Sequence, residues 1–142
     1  LQERVLDEFY EVRRNNPGAD TLEGQLHIFF EQKKYMVLKK KNYDFAELNF
    51  MIQSKINPAM KERFQDAYEE WRRDIRAVIE KYCPELTETE KERIPYLAVS
   101  LLEGASLQVL VDPQDFDADL YFDAAEEMVL SHIRNAKKQK ER

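Results

Sequence analysis

The sequence predicts an all-α fold, and three observations support that prediction. Apolar residues recur three or four positions apart, the spacing of one helix face, in six segments of the chain. Three Gly and five Pro in 142 residues are few for an all-β or loop-rich protein. Charged residues make up 35% of the chain and mean hydropathy is −0.70, as in helices that expose one polar face. We expect about six helices, no strand and one globular unit.

Local signals place the first two helices. Apolar spacing from Leu1 to Val12 predicts a helix that ends at the breakers between Asn15 and Gly18. Asp20 and Glu23 then predict a capping box, in which the two side chains bond backbone amides at a helix start. The second helix should end near Lys39, where cations suit the negative end of the helix dipole.

The third and fourth helices have similar start signals. Asp44 and Glu47 predict another capping box at the start of the third helix. The fourth helix should begin at Asn57 and Pro58, because Asn is a good N-cap and Pro is tolerated at the first helical position. Its regular amphipathic pattern should end at Cys83.

The fifth predicted helix is the one around which the rest of the chain is organised. It opens with a capping box from Thr87 to Glu90, and its residues from Ile94 to Val111 are apolar on both sides, with Glu103 as their one charge. Such a helix must be covered nearly all round. A membrane span needs ~20 apolar residues, and this run is shorter and interrupted by Glu103. We therefore expect one side to face the core and the other a partner chain. A sixth helix should begin near Asp117.

No group of side chains stands out as a catalytic or metal site. His27 and His132 are far apart, and although Glu23 and His27 stand four residues apart, a surface or core-edge histidine is the simpler interpretation of His27. The lone Cys83 allows no disulfide within the chain and fits a reducing compartment. A net charge of −6 disfavours phosphate binding. We expect no enzyme activity, cofactor, metal or membrane association.

Aromatic and methionine side chains concentrate on the inward faces of the second to fourth predicted helices. Core packing explains such a stripe most simply, and composition does not separate it from a pocket between helices in which polar tips orient a ligand. Few charged residues fall on these faces, so a pocket here should take a small, largely apolar or aromatic molecule. The candidate lining residues are Phe29, Phe30, Met36, Leu48, Met51, Tyr68 and Trp71.

Two longer runs resemble a known family. Asn57 to Ile75, NPAMKERFQDAYEEWRRDI, resembles the ligand-domain helix of TetR-family transcriptional regulators. Leu101 to Tyr121, LLEGASLQVLVDPQDFDADLY, is similar to that family's penultimate helix and the loop into its last helix. The resemblance implies a homodimer in which the last two helices of each chain form a four-helix bundle, with an effector pocket among the preceding helices. The interface residues it implies are Leu97, Leu101, Gly104, Ala105, Gln108, Ala125, Met128 and His132.

The family's helix-turn-helix domain has no counterpart in this sequence. We therefore expect residues 1–16 to be the connector helix from a missing DNA-binding domain, and residues 17–142 to be the effector-binding and dimerisation domain. The implied function is that of a bacterial, cytoplasmic repressor, which a small effector would release from operator DNA bound through the missing domain. The alternative is a free-standing helical interaction or scaffold dimer without a ligand.

Overall fold

The computed structural model describes residues 20–141, and this part of the chain is helical throughout, joined by short connections. The predicted all-α class is confirmed. The described helices correspond to the second to sixth predicted ones, whereas the predicted connector, residues 1–16, lies outside the described residues. The helices are α1 (Leu22–Lys39), α2 (Lys41–Gln53), α3 (Pro58–Tyr82), α4 (Glu88–Val111) and α5 (Ala118–Glu141).

Side-chain caps begin α3, α4 and α5 where the sequence predicted them. The side chain of Asn57 accepts a hydrogen bond from the Met60 amide at 3.2 Å, and Pro58 occupies the first turn. Thr87 accepts from the Glu90 amide at 3.2 Å, and Asp117 accepts from an amide of the first turn of α5 at 3.0 Å. Each cap satisfies a backbone amide that has no partner within its helix.

The predicted cap of α1 was wrong by one residue. Thr21, and not Asp20, accepts the hydrogen bond from the Gly24 amide, at 3.0 Å. Asp20 instead accepts a hydrogen bond from the Tyr82 hydroxyl at 2.8 Å. The carboxylate therefore links the start of α1 to the end of α3, a long-range contact that a local capping pattern does not reveal.

The predicted capping box at Asp44 and Glu47 was also wrong. α2 begins at Lys41, and Lys40 precedes it without a side-chain cap. Asp44 lies inside the helix with only 5% of its surface exposed, and it pairs with Lys33 of α1. The physical reason is that a buried ammonium group needs a nearby anion. Asp44 serves that tertiary contact and not the helix end.

α4 contacts each of the other four described helices, as α1 also does. Ile94, Ala98 and Leu102 are fully or almost fully buried, whereas Leu97 and Leu107 are exposed. By length and composition alone α4 is apolar enough to cross a membrane, although the core helix of a helical bundle meets the same criteria. The expectation that one side of this helix faces the core is confirmed.

A close crossing joins α4 and α5 within the chain. The Tyr121 hydroxyl of α5 donates a hydrogen bond to the Leu101 carbonyl of α4. A Cβ atom at Gly104 would lie 3.1 Å from the same hydroxyl oxygen, closer than most real contacts of a Cβ atom. Gly104 therefore gives Tyr121 the room to reach α4, and a bulky residue at this position would disturb the protomer itself.

Candidate functional site

A buried lysine joins three helices. Lys33 continues the inward stripe of α1 between Phe30 and Val37, and only 8% of its surface is exposed. Its Nζ atom lies 3.0 Å from Asp44 Oδ1 on α2 and 2.9 Å from Glu103 Oε1 on α4. Because an unpaired buried charge is very unfavourable, these two carboxylates fix how α1, α2 and α4 pack together.

A fourth helix, α3, joins this cluster through Tyr68. The Tyr68 hydroxyl donates a hydrogen bond to Glu103 Oε2 at 2.7 Å, and the Met51 sulfur lies 3.2 Å from the same hydroxyl oxygen. The Trp71 ring centroid is 6.3 Å from that of Tyr68 and 5.9 Å from Lys33 Nζ, within the range of a cation–π contact. We call Lys33, Asp44, Tyr68 and Glu103 the Lys33 network.

The surroundings of the Lys33 network set the charge of its members. Burial would lower the pKa of Lys33, but the carboxylates of Glu103 and Asp44 outweigh that effect and raise it, so the ammonium stays charged. Burial, followed by the negative charge of Glu103, raises the pKa of Tyr68, which remains a neutral donor. Glu47 of α2 is not a member of the network but feels its charges. Burial raises the pKa of Glu47, and the charges of Glu103 and Asp44 add to that effect, whereas Lys33 opposes it.

A cavity of about 170 Å³ lies beside the Lys33 network, between the end of α1, the first half of α2 and the end of α4. Asp44 belongs to both the network and the cavity wall. Ser106 has only 2% of its surface exposed, and its Oγ atom has no hydrogen-bond partner within the described part of the chain. We call this space the Ser106 cavity. It is lined by Val37, Lys41, Asn42, Asp44, Phe45, Leu48, Ser106, Val109, Leu110 and Pro113.

The structure distributes the predicted pocket residues over three places. Tyr68 belongs to the Lys33 network, Met51 and Trp71 lie beside that network, and Leu48 lines the Ser106 cavity. Met36 is half-buried. Two further residues, Phe29 and Phe30, pack in the hydrophobic core.

A small number of charges nevertheless lie among these inward faces. Lys33 and Asp44 are buried, and Glu103 is largely so. Sequence reasoning missed Lys33, although its place on the inward stripe of α1 was a usable signal. Glu103 was noticed as the one charge in an apolar helix, but its partner was not identified. Ser106 carried no signal, since a serine on an apolar helix has many possible environments.

The residues of the predicted dimer interface also differ in their surroundings. Leu97, Gln108 and Met128 are exposed, and Leu101 and Gly104 are half-buried. Three further residues make contacts within the chain: Ala105 and Ala125 belong to its core, and His132 Nε2 lies 2.7 Å from Glu90 Oε2.

Several exposed apolar side chains nevertheless lie on the last two helices. α4 and α5 run antiparallel, with Leu101 beside Tyr121 and Glu90 beside His132. Leu97 and Met128 therefore lie within about one helical turn of each other along the pair. The α4–α5 surface is defined here by the exposed residues Leu97, Leu107, Leu110, Val111, Leu120 and Met128.

Comparison with known protein families matches residues 46–135, well over half of the chain, to the family described as BetI-type transcriptional repressor, C-terminal. The matched range runs from the first half of α2 to the later part of α5 and includes Tyr68, Glu103 and Ser106. No curated protein and no solved structure gives a significant match.

Replacing Lys33 with Met should destabilise the fold by roughly 3–5 kcal/mol, because Asp44 and Glu103 would be left buried without a counter-charge. The free energy of unfolding, measured by urea denaturation, checks this. The matched control is Lys39→Met at an exposed position of the same helix, which should change stability by no more than about 0.5 kcal/mol.

A triple variant separates the missing charge from a general packing defect. Lys33→Met combined with Asp44→Leu and Glu103→Met replaces all three charges by apolar groups and should recover most of the lost stability. A triple variant less stable than Lys33→Met alone would contradict the assignment of the loss to unpaired buried carboxylates.

Replacing Glu47 with Gln should stabilise the chain in a pH-dependent way. The raised pKa means that the folded state favours the protonated carboxyl, so ionised Glu47 lowers stability above its ordinary pKa of 4.5 and has no such effect below it. The gain in melting temperature should be clear at about pH 8 and shrink as the pH falls through 4.5. Glu92→Gln, at an exposed position of α4, is the control, and an equal gain at both ends of the pH range would refute this explanation.

Proposed function

The chain belongs to the BetI-type transcriptional repressors of the TetR family as their C-terminal, regulatory domain, and from this premise we propose that it senses a small effector and forms a homodimer. The effector would bind among α1 to α4. The dimer would form through α4 and α5, with the last two helices of each chain in a four-helix bundle. The intact protein would act on operator DNA in the bacterial cytoplasm, and the effector would release it.

The Lys33 network is the observation that supports the sensing part of this proposal. An apolar core of the same volume would be at least as stable as a buried ion cluster, so stability alone does not account for these polar groups. They lie beside a cavity and next to aromatic side chains, Tyr68 and Trp71. Ligand pockets combine mostly apolar walls with a few well-placed polar groups, and this region has that composition.

The effector we propose is small and mostly apolar or aromatic, with a polar group. Met51, Tyr68 and Trp71 would offer it adaptable and aromatic surfaces, and Leu48 a buried apolar wall. Phe29 and Phe30 would support the site from the core, and Met36 would contribute at its edge. The buried charges add a feature that the sequence did not suggest, since a polar group on the effector would find hydrogen-bond partners in Asp44 or Glu103.

Release from DNA requires a route from the effector to the DNA-binding part. Lys33 is carried by α1, the first described helix, and its ammonium is held by α2 and α4. An effector that changes these contacts would shift α1 relative to the rest of the domain. We place the DNA contacts outside residues 20–141, because the chain carries a net charge of −6, which disfavours binding to phosphates.

The α4–α5 surface supports the dimer part of the proposal. Several large apolar side chains lie exposed there, and Val111 is 83% exposed. Apolar surface of this kind marks interaction sites, and pairing with a second copy would remove it from water. A stable homodimer would bury roughly 1,600 Å² or more in total.

Leu97→Glu combined with Met128→Glu should dissociate the dimer, because each substitution would place an unpaired charge in an apolar interface. We expect the dissociation constant to rise at least roughly 100-fold. Light scattering coupled to size-exclusion chromatography gives the measurement. Ile56→Glu is the control, since Ile56 is 87% exposed in the connection between α2 and α3 and should leave pairing unchanged. A monomeric wild-type chain at micromolar concentration would overturn the dimer proposal.

A thermal-shift screen of small aromatic compounds with polar groups should yield ligands that raise the melting temperature by mass action. The same ligands should change the fluorescence of Trp71, the only tryptophan, because its ring borders the Lys33 network. Trp71→Phe removes the only tryptophan and one wall of the proposed site, so it should abolish the fluorescence signal and weaken the thermal shift. A dimer that no compound stabilises would instead favour an interaction protein without a ligand.

A further inference from the structure

We propose that the dimer interface extends from the α4–α5 surface onto the start of α2, where Phe45 contacts the partner copy and the partner covers the mouth of the Ser106 cavity. This extension rests on the proposed function, since it takes a second copy of this chain as the partner. It adds a third helix, α2, to the two that the family resemblance implies.

Leu110 belongs to two surfaces at once. It is one of the exposed residues of the α4–α5 surface, and it also lines the Ser106 cavity. Leu107 and Val111, three residues before it and one residue after it, are exposed as well. The mouth of the cavity is therefore continuous with the α4–α5 surface, and a second copy seated on that surface would lie beside it.

Helical geometry places the exposed face of α4 between two sets of neighbours. Leu101 faces α5, where its carbonyl accepts the Tyr121 hydrogen bond, and Glu103 faces Lys33 of α1 and the helices packed with it. At 3.6 residues per turn, Leu107 projects from α4 between these two sides. A partner helix on this face would be flanked by α5 on one side and, at the end of α4, by α2 on the other.

Phe45 is the large apolar side chain that α2 presents at this edge. It lines the Ser106 cavity together with Leu110, yet 52% of its surface is exposed. Aromatic residues are frequent anchors of protein interfaces, and covering the rest of this ring would remove further apolar surface from water. Phe45 therefore has the position and the chemistry of an interface residue.

The size of a stable interface favours the same extension. A stable interface commonly buries roughly 20–30 residues on each side, whereas the α4–α5 surface comprises six exposed apolar residues. Pairing through this surface must also cover residues at its edges. The rim of the Ser106 cavity is one of these edges, because Leu110 lies on both.

Pairing would then act on the sensing region. Asp44 precedes Phe45 in α2, and its Oδ1 atom lies 3.0 Å from Lys33 Nζ. A partner that holds the start of α2 would also hold Asp44 in place. Dimer formation and the Lys33 network would therefore be coupled, so that a change in either alters the other.

Phe45→Glu should weaken pairing, because it would place an unpaired carboxylate in the interface. We expect the dissociation constant of the dimer to rise at least roughly tenfold, measured by sedimentation equilibrium over a dilution series. Phe50→Glu is the matched control. Phe50 is 49% exposed on the same helix, but it projects about 140° away from Phe45 and should leave the dissociation constant unchanged. Circular dichroism checks that both variants remain helical.

Photo-crosslinking tests the contact without adding a charge. Phe45→p-benzoylphenylalanine should give a covalent dimer on irradiation, whereas Phe50→p-benzoylphenylalanine should not. Covalent dimers from Phe50 as readily as from Phe45, or from neither position, would overturn the inference. A dimer that Leu97→Glu with Met128→Glu dissociates, but that Phe45→Glu leaves intact, would keep the proposed function and refute this extension alone. A monomeric wild-type chain would refute both.

Discussion

A lysine ammonium inside the helical core is the constraint on which the rest of the structure depends. Lys33 is charged where water cannot reach it freely, so its ammonium group must find anionic acceptors in the protein. Asp44 and Glu103 provide them from two other helices, and Tyr68 brings a fourth helix to Glu103. Apolar contacts tolerate small shifts of one helix along another, but this set of directed contacts does not. The network therefore fixes the register of α1 to α4 more than it adds net stability.

The buried Lys33 ammonium also links the candidate site to α1, the first described helix. Asp44 faces the Lys33 ammonium and also lines the Ser106 cavity. Any ligand that displaces or reorients Asp44 must alter the surroundings of Lys33, and with them the position of α1. Under the proposed function, the cavity, the ion cluster and α1 would act together in sensing the effector, whereas α4 and α5 would supply the pairing surface.

Particular residues show how far the sequence could predict this arrangement. The starts of α3, α4 and α5 were predictable because Asn57, Thr87 and Asp117 act on amides three residues away. Asp20 and Asp44 have the same residue types in similar patterns, yet distant partners, Tyr82 and Lys33, engage them. A capping motif is local information: at Asp44 the pairing of a buried ammonium overrides it, whereas at the exposed Asp20 the neighbouring Thr21 caps the helix instead.

The sequence predicted which helices contain the candidate site, but it predicted only some of the side chains that form it. Aromatic and methionine positions pointed to the region that contains Met51, Tyr68 and Trp71. Lys33 falls on the inward stripe of α1, but its charge led to the expectation that it would lie at the surface. The cavity itself depends on how helix ends approach one another, which spacing within one helix does not encode. Ser106 became informative only when its surroundings showed an unpaired buried hydroxyl.

The most direct test of this account is the free energy of coupling between Lys33 and Glu103, measured in a double-mutant cycle with Lys33→Met and Glu103→Met. We expect a coupling of about 2 kcal/mol or more, as for contacting groups in a buried network. The exposed pair Arg134 and Glu127, which are 3.1 Å apart, should give less than about 1 kcal/mol in a parallel cycle. A Lys33–Glu103 coupling no larger than that of the surface pair would contradict the claim that this buried ion pair organises the domain.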